Sequence, residues 1–206
     1  LIDFFGYSTS NCQKVAIALE ELGLPYAAHW VNLKAGVHRE PSFRAMHPYA
    51  RIPVIVDHDA PGGELAVAES LAILVYLTEK AGALMPRDPA GRSRALQWLS
   101  SIAANINPIF RALDVFSNML PVKLEPAIDH YIAEGERALA ILDRHLADRR
   151  FMIEDAYSIV DISAYTVAAT SASRLPRGIA ECPNLLRWSS EIGQRPAVIR
   201  GMRLFT

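Results

Sequence analysis

Cysteine is scarce: the 206 residues contain two, Cys12 and Cys182. Two cannot build the multi-bridge framework of a small secreted domain, and the count suits a reducing cytoplasm. Long apolar runs are missing too. No stretch approaches the roughly 18 residues that span a bilayer, so no membrane segment is expected, and residues 1–5 lack the basic flank of a signal peptide. Excess charge of either sign is absent. The formal net charge is -1, with Lys and Arg scattered, which leaves no electrostatic footprint for nucleic acid. The six histidines show no metal-ligand spacing and no Cys partner set, so no metal is expected. Charged residues make up 21% and hydrophobic residues 51%, a balance that excludes a disordered chain.

What is present changes character part-way along. Residues 1–5 read as a buried strand ending in the polar loop Gly6-Tyr7-Ser8-Thr9-Ser10-Asn11, rich in helix N-cap types. Cys12, Val15, Leu19 and Leu22 then recur at steps of three and four, the apolar face of a helix. Gly23 and Pro25 stop that helix, and residues 26–33 read as a second strand, so the opening is a βαβ unit with parallel strands. A short helix over 42–46, a strand over 52–57, a hairpin return over 64–67 and a helix over 70–80 follow. Gly82, Pro86, Pro89 and Gly91 break every period, and after them the strand signals stop. Long helices are predicted over 92–118 and 124–145, with Gly135 on the apolar stripe of the second. Ser158-Ile159-Val160-Asp161 has the form of a capping box opening another helix, and Pro183 and Pro196 punctuate two shorter ones. The predicted organisation is an α/β domain over 1–82, a linker over 83–89 and an all-α domain over 90–206.

Three local features can carry chemistry. Ser8-Thr9-Ser10-Asn11 lies at a strand-to-helix junction, where free N–H groups and the helix dipole favour an anion. A thiol brought there would ionise more readily. Lowering its pKa by about two units takes about 2.7 kcal/mol, which two charge-assisted hydrogen bonds of about 1.5 kcal/mol each can supply. Plain capping explains the same residues. In Arg51-Ile52-Pro53, a cis bond before the proline would offer the Ile52 backbone to an extended peptide as an added strand edge, although most such bonds are trans. Glu69-Ser70 opens a helix and is either a cap or a holder for the ammonium and carboxylate of an α-amino acid end.

Together these segments resemble the glutathione transferase superfamily over essentially the whole chain. His47-Pro48-Tyr49-Ala50-Arg51-Ile52-Pro53-Val54-Ile55 is similar to its cis-proline loop, Ala68-Glu69-Ser70-Leu71-Ala72 to its acidic-Ser pair, and Ser158-Ile159-Val160-Asp161 to its capping box. The resemblance implies a thioredoxin-like N-terminal domain and a helical C-terminal domain. It also implies glutathione as co-substrate, with the γ-glutamyl end on Glu69 and Ser70, the cysteinyl backbone on Ile52, and the glycine end toward His38 and Arg51. The sulfur would lie near Thr9 and Asn11.

Counted back from Leu19, the tyrosine of tyrosine-type classes falls on Phe5, the serine of serine-type classes on Thr9, and the cysteine of beta-class enzymes on Asn11. Thr9, Asn11, Lys14, Gly36 and the run from Ile52 to His58 most resemble the bacterial Nu class, with His38 where Gln is usual and Arg51 for Lys. The resemblance implies Thr9 and Asn11 as catalytic residues activating the glutathione thiol. The first expectation is attack on a small hydrophobic electrophile lined by Phe110, Phe116 and Met119. The alternatives are glutathione-dependent reduction of a disulfide, with glutathione disulfide as a further ligand, or a non-catalytic glutathione-binding module. Cys12 falls on the apolar helix face and is expected in the core. A homodimer is expected from the family, with no nucleic-acid or membrane partner.

Overall fold

The computed structural model describes residues 1–153, 155–171 and 174–205. They form two compact units, Leu1–Met85 with Gln194–Thr206, and Pro86–Gly193.

The first unit is built on a four-stranded sheet of order β2-β1-β3-β4. Strand β1 (Ile2–Gly6) pairs parallel with β2 (Tyr26–Trp30) across helix α1 (Ser10–Leu22), the expected βαβ unit. Strand β3 (Val54–Asp57) runs antiparallel to β1 and pairs with β4 (Leu65–Ala68) as a hairpin. The second strand is shorter than the 26–33 expected. β1 ends at Gly6, whose carbonyl takes the last pairing N–H from Val31, so the chain beyond has no partner strand. Alternation along β1 buries Ile2, Phe4 and Gly6 and leaves Asp3 and Phe5 on the other face. There, Phe5 meets Phe43 of α2 (Pro41–Met46) edge-on at 6.3 Å, in a cluster with Val31, Val54 and Ile52.

Helix α1 is buried on nearly all sides from Lys14 to Leu19, with α3 (Ser70–Ala81) against it. It ends at Gly23, whose φ of 61° only glycine adopts cheaply, as the stop signal implied. The segment from Gln194 packs on α1 rather than continuing the helical unit. The helix α9 (Pro196–Arg203) lies so close that a Cβ on Gly201 would stand 2.6 Å from the Ile17 backbone nitrogen. Arg195 and Arg200 pair with Glu21 and Glu20 beside this contact.

In the second unit, helical backbone runs from Pro89 to Met119 as α4 (Pro89–Ser101), a π-turn, α5 (Asn107–Asp114) and a second π-turn. One unbroken helix was expected. Pro108 has no N–H and its ring collides with the carbonyl four residues back, so the ladder widens through Ile102–Ile106. Helix α6 (Glu125–His145) carries Gly135 against the side chain of Leu175. Asp143 near its end reaches helix α8 (Pro183–Gly193), accepting from the backbone N–H of Asn184 and Leu185 at 2.8 and 2.9 Å. The capping box forms at helix α7 (Ile159–Ser171), where the buried Asp161 accepts from the Ser158 N–H and hydroxyl. Among the described residues no helix is long and apolar enough to cross a membrane.

Candidate functional site

The register Phe5–Val54–Ala68 across the sheet sets the segments that carry Thr9, Ile52 and Glu69 at one end of the first unit, where β1 enters α1 and α3 begins. Thr9 is the N-cap of α1, with extended backbone (φ -137°, ψ 152°) and Oγ1 accepting from the Cys12 N–H at 3.3 Å. A hydroxyl that accepts one hydrogen bond still has its own proton to donate. Capping and anion binding are therefore compatible here.

Asn11 occupies the first turn, half-buried. Its Oδ1 accepts from Lys14 Nζ at 2.9 Å. A lysine ammonium can only donate, so in that form this contact fixes which end of the amide is oxygen and leaves Nδ2 as the free donor. Lys14 itself is completely buried, and burial pushes its amine down to about 7. Cys12, next in sequence to Asn11, is also fully buried. Its Sγ accepts from the Tyr7 N–H at 3.5 Å, and burial raises its pKa, so it stays a protonated core thiol.

The bond between Ile52 and Pro53 is cis, and β3 starts only at Val54. The Ile52 backbone thus stands outside the ladder, while its side chain packs on the Phe43 cluster. Arg51, just before it, is exposed. Glu69 precedes α3 with a φ of 69° and ψ of 115°, a backbone state that costs a non-glycine residue about 1–3 kcal/mol. Its carboxylate makes no capping bond, so capping does not explain the residue. The side chain is instead 68% exposed, with His47 Nε2 at 3.8 Å. Ser70 beside it is buried.

Two histidines add unmet hydrogen-bonding capacity, since Nδ1 of both His38 and His47 is buried without a partner. Burial lowers the pKa of His47, which favours its neutral form; Glu69 opposes this and Arg51 reinforces it.

A half-buried hydroxyl, an oriented amide, a free strand edge and an outward carboxylate on strained backbone suit an extended peptide carrying an amino-acid end and a thiol. Comparison with known proteins supplies the family. The pattern described as "Glutathione S-transferase, N-terminal domain" matches residues 9–80, and "Glutathione S-transferase, C-terminal domain" matches residues 125–190. The chain belongs to the glutathione S-transferase family. It is 34% identical to the disulfide-bond oxidoreductase YfcG of Escherichia coli (strain K12), over 96% of this chain and 92% of that protein. A glutathione transferase family member from Pseudomonas fluorescens pf-5, solved with two glutathione bound, superposes with a TM-score of 0.92. It shares 34% identity, covering 98% of this chain and 92% of its own. A glutathione transferase from Pseudomonas putida, with one glutathione disulfide bound per subunit, gives the same TM-score and identity over 98% and 91%.

The first unit is thus the family's thioredoxin-like domain and the second its helical domain. Of the side chains expected to line an electrophile site, Phe110 is buried in the helical core and unavailable to a ligand. Phe116 is half-buried and stacked on Tyr131 at 5.7 Å, and Met119 is exposed, its sulfur accepting from Arg111 at 3.1 Å. Sequence reasoning missed the burial of Lys14 and the position of His47. For Lys14 a signal existed: no charge follows it until Glu20, and a helix apolar all round is buried all round.

Proposed function

We propose that the first unit binds glutathione and uses its thiolate to reduce disulfides, in the manner of the Nu class. Glu69 takes the γ-glutamyl ammonium and Ser70 the adjoining carboxylate. The Ile52 backbone pairs with the cysteinyl residue, and His38 and Arg51 serve the glycine carboxylate. The sulfur lies at the entrance of α1, where the Thr9 hydroxyl and the Asn11 amide donate to it.

The observation that carries this reading is the pairing of oriented donors with an unusable protein thiol. Thr9 and Asn11 offer two donors at the positive end of a helix, while Cys12 is fully buried and its thiol pKa is raised. The attacking sulfur therefore belongs to the ligand. Two charge-assisted bonds of about 1.5 kcal/mol each cover the roughly 2.7 kcal/mol that a two-unit drop in thiol pKa requires. The thiolate attacks one sulfur of a disulfide, forming a mixed disulfide and releasing the other sulfur as a thiolate, which takes a proton. A second glutathione thiolate attacks the mixed disulfide and releases the second thiol. Two glutathione sulfurs are oxidised to one glutathione disulfide and one disulfide is reduced.

The same thiolate could serve conjugation to an electrophile. Disulfide reduction is favoured by the names of the relatives, a disulfide-bond oxidoreductase and a neighbour solved with glutathione disulfide. The test is glutathione-dependent turnover of a small dialkyl disulfide, followed by coupled reduction of the glutathione disulfide formed, beside an aryl chloride conjugation assay. The expected result is faster disulfide turnover. Replacing both Thr9 and Asn11 by Ala should lower kcat about 100-fold, the rate equivalent of 2.7 kcal/mol, with a much smaller change in glutathione affinity. Unchanged kinetics in that double variant refute the assignment, and conjugation without disulfide turnover refutes the reaction. The homodimer is part of the same proposal and is checked by light scattering.

A further inference from the structure

Lys14 is a feature that the glutathione contacts do not use. Its side chain is 0% exposed, and lysine is among the residues least often fully buried. It also sits early in α1, where the helix dipole disfavours a cation. An apolar side chain of similar length would fill the same volume without either cost, so packing alone does not account for it. What distinguishes Lys14 is its contact: Nζ lies 2.9 Å from Asn11 Oδ1, one turn back along the helix.

We propose that Lys14 is a positioning residue for the sulfur site: by donating to Asn11 Oδ1 it locks the amide so that Nδ2 is presented to the thiolate of the bound peptide. The inference rests on the proposed placement of the glutathione sulfur at Thr9 and Asn11. It adds a mechanism for that placement. A free asparagine side chain can turn its amide over and present oxygen, which would repel a thiolate. As an ammonium, Lys14 excludes that arrangement because it has no lone pair to accept from Nδ2. The neutral amine carries a lone pair that can accept from Nδ2, so the lock belongs to the ammonium form and weakens as the amine, whose pKa burial brings down to about 7, loses its proton.

The test uses the full chain with glutathione bound, following thiolate absorbance in the ultraviolet as pH is raised. Four proteins are compared: wild type, Lys14→Met, Asn11→Ala and the double variant. In wild type the thiol midpoint should lie below that of free glutathione. Lys14→Met should raise it by about one unit, a tenfold loss of thiolate preference, with glutathione affinity changed by less than about threefold. In the Asn11→Ala background the same substitution should add less than about 0.3 unit, because its effect passes through the amide. Where Lys14→Met does not fold, Lys14→Leu is read in the same way. A Lys14→Met midpoint equal to wild type overturns the proposal, as does a full one-unit rise on the Asn11→Ala background. A wild-type midpoint equal to that of free glutathione instead overturns the functional reading, and Lys14 falls with it; that failure shows before any substitution is made.

Discussion

Replacing Asp161 by Ala should destabilise the helical unit severely without touching the chemistry. The carboxylate is fully buried and takes four hydrogen bonds. Oδ1 accepts from the Met152 N–H at 2.8 Å and from Trp188 Nε1 at 3.0 Å, and Oδ2 from the Ser158 N–H and hydroxyl at 2.9 and 3.1 Å. Alanine leaves three N–H donors buried without an acceptor; the serine hydroxyl can turn elsewhere. Each stranded donor costs about 1–3 kcal/mol, and because they share one network the sum is expected near 4 kcal/mol rather than the upper limit. That is a large share of the roughly 5–15 kcal/mol that holds a typical fold.

Asparagine keeps one oxygen for Met152 and Trp188 while its amide faces Ser158, so Asp161→Asn should cost about half as much. Trp188→Ala would confound the comparison with a cavity, and Trp188→Phe, losing one bond, should cost least through that bond. Urea unfolding followed by far-ultraviolet circular dichroism checks the order. With a slope of about 2.5 kcal/mol/M, the alanine midpoint should fall by about 1.5 M. An alanine variant within about 0.5 kcal/mol of wild type would refute the donor accounting. A loss of kcat per folded molecule with unchanged stability would make Asp161 a participant in the reaction.

Burial brings the Lys14 amine down to about 7, against about 10.4 in an unfolded chain. Between those values the unfolded state binds more protons, so this group makes stability rise with pH from about 7 to 10. Lys14→Met should flatten that rise and be more stable than wild type at neutral pH; a steeper rise in urea titrations refutes the sign. Gly201→Ala places a methyl 2.6 Å from the Ile17 backbone nitrogen, and backbone cannot yield as a side chain tip does. We expect a loss of about 2 kcal/mol or more, read as faster hydrogen exchange in α1 and α9; unchanged exchange in both helices refutes it. Cys12→Ser should retain disulfide reduction per folded molecule while losing some stability, because a hydroxyl replaces a buried sulfur. Loss of turnover with stability intact would return Cys12 to the mechanism.

The Thr9 cap, the Gly23 stop, the Ser158–Asp161 box and the strand-helix-strand opening were legible because each is settled within a few residues along the chain. A cap needs only its own helix turn, and a strand's period needs only its own side chains. The Glu-Ser and Ile-Pro motifs were legible as segments, and the cis bond at Pro53 only through the family resemblance, but not the φ of 69° at Glu69. Local chemistry permits both states at each position. The rest belonged to tertiary structure. Asp143 caps a helix 41 residues further on, the chain's last helix returns to cover α1, and the burial of Lys14 depends on what surrounds that helix. Such contacts join residues that are distant in sequence, and no local pattern can rank them. So the sequence by itself determined which elements form and which polar residues stand at the entrance of α1. Only packing decided that a lysine would be buried one turn past Asn11, with its amine donating to that amide oxygen.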